Sequence, residues 1–220
     1  MPTFGLIAEG PTDQAVLENI LIGYFNDNDY DISPYIRSLR PLRDATDAAG
    51  SMGGWTRVLE YCQSSVFRDA LTEIDYLIIQ IDTDRLFERP FELNLAQPVG
   101  SLIASVTGKF EDMMRVAFGA EFLENHSSRI LFAIAVNEIE CWLLPLYFAD
   151  KNAGATSTCL RRLNQELSRQ NERPITDKRY DQYDRLSRPF CKHKSLVEKS
   201  QLNPSFKIFM DRMRTVFPQN

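Results

Sequence analysis

The sequence predicts an α/β fold: a central, mainly parallel sheet flanked by helices, closed by a basic helical extension. Three observations carry this expectation. Apolar runs at 3–8, 75–82 and 129–136 have the nearly continuous, β-branched character of strands buried on both faces. Between them lie longer stretches with apolar residues at helical spacing. Strands alternating with helices in this way imply βαβ units, and hence a sheet covered on both sides.

Thr3 to Ala8 reads as the first buried strand, stopping at the turn Glu9-Gly10-Pro11. A helix follows from about Pro11, because Val16, Leu17, Ile20, Leu21 and Tyr24 recur at its period and proline's fixed φ suits a first turn. Residues 31–38 are expected as an edge strand, since Pro34 cannot donate to a central ladder. The stretch 41–54 is loop-like and ends in a glycine-rich run, after which Trp55 to Phe67 reads as a helix. Asp75 to Asp82 is the clearest strand of all. Pro90 and Pro98 mark a loop before a helix over Val99 to Phe118, and Arg129 to Val136 is the third apolar strand. It runs into helical turns that span about 138–149. Polar helices are expected near 156–170, 176–186 and 203–216.

The 220 residues, 44% of them hydrophobic, can bury a sizeable core without staples. Charge divides the chain. Residues 1–150 hold 10 basic and 23 acidic side chains, a net of −13, whereas residues 151–220 hold 15 and 7, a net of +8. We therefore read 1–150 as a metal-binding domain and 151–220 as a basic helical extension packed on it, suited to a polyanion. No run of about 18 apolar residues predicts a membrane span. The N-terminus offers neither a basic n-region nor a cleavable apolar segment, so a cytoplasmic protein is expected. Cys62, Cys141, Cys159 and Cys191 lack paired spacing and read as reduced thiols, not as a zinc site or disulfide frame.

The strand ends carry the chemistry. The first strand ends in Glu9, with Asp13 one helical turn on; the central strand ends in Asp82-Thr83-Asp84; the last is followed by Glu138 and Glu140. In an open parallel sheet, ligands gather beyond the carboxyl ends of the strands. Carboxylates there repel one another and resist desolvation unless a cation neutralises them. Mg²⁺ (or Mn²⁺) suits such hard oxygen ligands, and two ions would clamp an in-line displacement at phosphorus. Each motif also has a plainer reading: a turn with a solvated acid, or an acid favouring a helix N-terminus.

Glu9-Gly10-Pro11-Thr12-Asp13 after one strand, followed by Ile81-Asp82-Thr83-Asp84 after a later one, resembles the Toprim domain of topoisomerases, bacterial primases and OLD-type nucleases. Together with Glu138-Ile139-Glu140-Cys141-Trp142-Leu143-Leu144, the wording is most similar to small stand-alone OLD-like Toprim proteins of bacteria. The resemblance covers roughly residues 3–150; a looser one extends to Asn203-Pro204-Ser205-Phe206-Lys207-Ile208-Phe209-Met210. It implies a Toprim-like (Rossmann-like) sheet and Mg²⁺-dependent cleavage of nucleic-acid phosphodiesters, in a bacterial anti-phage defence or repair effector. Glu9 would be metal ligand or general acid/base, Asp82 and Asp84 metal ligands, and Asp13 the second acid of the OLD-like variant. Glu138 or Glu140 would complete a second metal site. No tyrosine matches a topoisomerase nucleophile, so a water nucleophile fits better.

In the basic region, Arg185, Arg188, Lys192, Lys194 and Lys199 surround Phe190, with Lys207 beyond. Such cations neutralise phosphates, an aromatic among them stacks bases, and a lysine near the metals stabilises charge building on phosphorus. Lys192 and Lys194 are the preferred candidates for that catalytic role. His126 and His193 form no histidine cluster, and Cys141 and Trp142 read as core. Arg37, Arg40 and Arg43 flank the first loop and read as solvated. The competing reading is a catalytically weak Toprim-fold subunit of a larger complex with a separate ATPase, since no Walker motif is present; a homo-oligomer is also compatible. A dehalogenase-type phosphatase needs aspartate after the first strand and Thr or Val where Leu86 stands, and a glycosyltransferase leaves Glu9 without a role.

Overall fold

Four strands form one all-parallel sheet in the order β2-β1-β3-β4. The computed structural model describes residues 1–26, 31–41, 54–89 and 91–218; the rest of the first loop, with Arg43, and Pro90 lie outside the described residues. In chain order the elements are β1 (Phe4–Ile7), α1 (Pro11–Phe25), β2 (Ile36–Arg40), α2 (Gly54–Cys62), α3 (Ser65–Glu73), β3 (Tyr76–Asp82), α4 (Val99–Phe118) and α5 (Ala120–His126). They continue with β4 (Ile130–Ala135), α6 (Glu140–Tyr147), α7 (Cys159–Arg169), α8 (Tyr180–Ser187), α9 (His193–Ser200) and α10 (Pro204–Val216).

The α/β expectation holds, with local shifts that have local causes. The edge strand is there, but it starts at Ile36 because Pro34 sits in a 3₁₀ turn over Ser33–Tyr35. The helix expected over 55–67 breaks in two: the Ser64 hydroxyl accepts from the Phe67 amide at 3.3 Å and opens α3 as a new helix. α5 and α9 were not expected, and His126 closes α5. Among the described residues, no helix is long and apolar enough to cross a membrane.

Side chains alternate along each strand, and this sorts the core into two layers. Phe4, Leu6, Ile78, Leu131 and Ala133 face α1 and α6–α10, whereas Ile7, Leu77, Ile79, Ile81 and Ile134 face α2–α5. The extension at 151–220 supplies much of the first layer: Cys159, Leu163, Tyr183, Leu186, Phe190, Phe206 and Met210 are fully buried with β1 and α1. Phe190 therefore cannot stack a base, as the sequence suggested. The thiols also need correcting. Cys141 and Cys159 form a disulfide with Cα atoms 4.9 Å apart, joining α6 to α7, while Cys62 and Cys191 stay free. Spacing had argued against a pair. The two residues meet only because α6 and α7 pack side by side.

Candidate active site

Three chain segments leave the same edge of the sheet. β1 runs through Ala8 and Glu9 into α1, β3 ends at Asp82, and β4 passes through Asn137 to Glu140 at the start of α6. Thr83, the middle residue of the acid pair, is buried and ties the latter two exits together. Its hydroxyl accepts from the Asn137 amide at 2.8 Å, and its own amide donates to the Ala135 carbonyl at 3.1 Å. Asp84 is thereby turned outward and is exposed, whereas Asp82 stays half-buried.

Alternation places Asp82 on the same face as Ile78 and Gln80, toward α1 and α6. Gln80, a buried amide inside an apolar strand, donates to Asp82 Oδ1 at 2.8 Å and holds that carboxylate in place. Glu9 lies across from it, its Oε1 accepting from the Asp82 amide at 2.8 Å. The start of α2 closes over Glu9: a side chain on Gly54 would put Cβ 2.8 Å from Glu9 Cβ, so only glycine lets that backbone approach. At the N-terminus of α1, Asp13 Oδ2 accepts from the Gly10 amide at 2.8 Å and is buried.

Glu140 completes the group from α6, and it is fully buried. Its Oε1 accepts from the Tyr183 hydroxyl on α8 and lies 2.8 Å from Lys178 Nζ. Its Oε2 is buried with no hydrogen-bond partner, a costly state for a carboxylate oxygen. Glu138 turns the other way. Its Oε1 accepts from the Leu160 amide at 2.8 Å, capping α7. Of the two acids that the sequence left open, Glu140 is the one directed at Asp13 and Asp82.

The electrostatics follow from this crowding. Burial and the Asp13 charge push the Glu9 carboxyl up to about 8, against the Asp82 amide, which favours its ionised form. Burial and Glu140 push Asp13 to about 7. Asp82 is raised well above the usual carboxylate range by burial, then by Asp13, Glu9 and Glu140, with Lys178 opposing. Asp84 and Glu138 are also raised, chiefly by burial. Burial by itself would lower the Lys178 ammonium, but Glu140, Asp82 and Asp13 outweigh it and raise its pKa. Several carboxylates thus crowd one low-dielectric region, and Lys178 opposes their mutual repulsion.

The donor set is all carboxylate oxygen, which fits Mg²⁺ or Mn²⁺ by hardness. These acids are not drawn into a tight cage, however. Among the described residues, the only trio of candidate ligand atoms mutually within 4.8 Å is Glu138, Cys141 and Cys159, and its sulfurs are bonded to each other.

The basic residues fall elsewhere. His193 Nδ1 lies 3.0 Å from the Gly23 carbonyl, near the C-terminal end of α1. Gly23 is roughly 20 Å along that helix from Gly10, at about 1.5 Å per residue. Lys192 and Lys194 flank His193 there, far from the acids. Arg185 pairs with Glu172, Arg188 with Asp184 and Lys207 with Asp211 on the surface, and Lys199 lies half-buried on α9. Lys178, Tyr183, Gln80 and Gly54 escaped the sequence reading. A polar residue inside the apolar run 76–81 was a visible signal for Gln80; nothing in the local pattern marked Lys178, which meets Glu140 across 38 positions of chain. No protein-family model matches this chain, and no curated protein or solved structure matches it either.

Proposed function

We propose that this chain is a divalent-metal-dependent nuclease that hydrolyses nucleic-acid phosphodiesters at the carboxyl end of its sheet, as the Toprim domain it resembles would. One observation carries the reading: Glu9, Asp13, Asp82 and Glu140 converge from three separate exits of a parallel sheet, with a buried carboxylate oxygen left unpaired among them. A purely structural role would leave only Lys178, Tyr183 and retained protons to offset this repulsion.

Glu9, Asp82 and Glu140 would hold the metal, with Asp13 beside them and Asp84 at the rim. Bound there, Mg²⁺ or Mn²⁺ would supply Lewis acidity and a water of lowered pKa. The chain's own residues do the rest. Gln80 and the Asp82 amide fix the facing carboxylates in orientation, so little reorganisation is needed when charge develops. Where Glu9 stays off the metal, its carboxylate would instead be the group placed to take the proton of the attacking water. The water oxygen forms the new P–O bond, the bond to the leaving oxygen breaks, and a proton ends on that oxygen. Lys178, half-exposed and paired with Glu140, would face the phosphoryl oxygens and offset their growing charge. We assign this role to Lys178, because Lys192 and Lys194 lie at the far end of α1.

A second reading draws on the spread of the acids. If no set of them closes around a metal, the fold serves as a binding or regulatory subunit that depends on a separate ATPase partner. One experiment separates the two: purified protein is incubated with supercoiled plasmid, linear duplex and single strands, in Mg²⁺, Mn²⁺ or EDTA, beside Asp82→Ala. Metal-dependent cleavage that disappears in the variant is expected. Equal cleavage by both, or none by folded wild type with metal, would sink the nuclease reading.

A further inference from the structure

We propose that the exposed stripe of α7 is the track on which a nucleic-acid single strand lies as it enters the acidic site. This inference rests on the nuclease reading and adds the path and form of the substrate. An open groove of about 1100 Å³ is lined in part by Glu138, Leu160, Arg161, Gln165, Ser168 and Arg169, with a mainly apolar wall. All but Glu138 lie on α7, and 161, 165 and 168 recur at helical spacing along one face. The groove therefore runs from the acids' neighbour, Glu138, along the helix to its C-terminal end.

Its charge fits a phosphate backbone. Arg161 is exposed, with no ion pair or side-chain hydrogen bond among the described residues. Arg169 points outward with its side chain 78% exposed, tied only to Glu166 at 3.0 Å, a surface pair that a phosphate readily displaces. The carboxylate of Glu138 is turned inward onto the Leu160 amide, so it presents little charge to the groove. Arg161 and Arg169 are separated by roughly 12 Å of helix, at about 1.5 Å per residue. The apolar wall between them suits the sugars and unstacked base faces of a single strand, whereas a duplex keeps its base faces stacked inside.

The test is fluorescence anisotropy of a labelled oligodeoxythymidylate, with Ca²⁺ in place of Mg²⁺ so that the strand stays whole. The double variant Arg161→Glu/Arg169→Glu should weaken binding at least tenfold, and Arg161→Gln alone should weaken it by a smaller factor. The slope of log K against log salt should fall by about 1.4, at about 0.7 per phosphate contact on single strands. Lys192→Glu/Lys194→Glu, at the far end of α1, should change binding less than twofold. Both arginines are exposed, so unchanged circular dichroism is expected and certifies the comparison. Wild type that binds the strand as tightly as the α7 double variant overturns this inference and leaves the nuclease reading standing. Wild type that binds no nucleic acid removes both.

Discussion

The two faces of the sheet are built from different materials. On the α2–α5 face no polar side chain is fully buried among the described residues, and the layer is aliphatic with Phe67, Phe91 and Phe110. On the α1/α6–α10 face, buried polar groups thread the core. Asn19 Nδ2 donates to Ser187 Oγ at 2.8 Å, Trp142 Nε1 to Ser205 Oγ at 2.9 Å, and Asn203 Nδ2 to the Cys141 carbonyl at 3.2 Å. Apolar contact is non-directional, whereas hydrogen bonds fix register. The face that must hold Asp13, Glu140, Lys178 and Tyr183 in mutual register is the polar one. The apolar face only closes over Glu9, through Gly54 and Trp55.

Substitutions on the two faces should therefore separate activity from stability. Asp82→Asn should abolish metal-dependent cleavage, and Lys178→Ala should lower kcat by about 10²–10³, the usual loss for one charge-stabilising donor, with Lys178→Arg recovering part of it. Phe110→Ala, on the other face, should cost about 3–5 kcal/mol in denaturant unfolding while the folded fraction keeps its kcat. A large kcat loss in Phe110→Ala would mean that the apolar face shapes the site after all. Tyr183→Phe removes a donor from a carboxylate that already has one unpaired oxygen, and should cost about 1–3 kcal/mol. Asn203→Ala loses the side chain that accepts from the Ser205 and Phe206 amides at the head of α10, and should cost about 0.5–2 kcal/mol.

The same contrast explains what could be read in advance. The apolar face and the strands were legible because burial writes a periodic pattern: β3 was expected over Asp75 to Asp82 and runs from Tyr76, and α4 was expected over Val99 to Phe118 and spans Val99–Phe118. Glu9, Asp13, Asp82 and Glu140 were visible because each closes or follows a recognisable strand. The rest of the polar face was not, because its members meet across the chain. Lys178 sits in a polar stretch with no period and reaches Glu140 only after α8 is packed, and the Cys141–Cys159 bond likewise depends on how α6 and α7 lie together. The basic region misled for a related reason. Charge density drew attention to Lys192 and Lys194, yet the packing of Phe190 against α1 sets their position, and it carries them away from the acids.

The weakest effect tests the crowding itself. Glu9 and Asp13 have ordinary values of 4.5 and 3.8, raised in the fold to about 8 and about 7. Between those limits the folded chain keeps protons that the unfolded chain has released, so the metal-free protein loses stability as pH rises through that window. In EDTA the melting temperature should fall by a few degrees between pH 6 and pH 9, by this contribution alone. Asp13→Asn, which removes one member of the group on the polar face, should flatten that fall. Mg²⁺ competes with those protons and binds only the folded chain, so its stabilisation should be larger at pH 8.5 than at pH 6. A metal-free melting temperature that climbs with pH across the window, or a Mg²⁺ gain that shrinks, would mean that these carboxylates are solvated and apart. The polar face would then be a structural layer, with no metal centre for its hydrogen bonds to align.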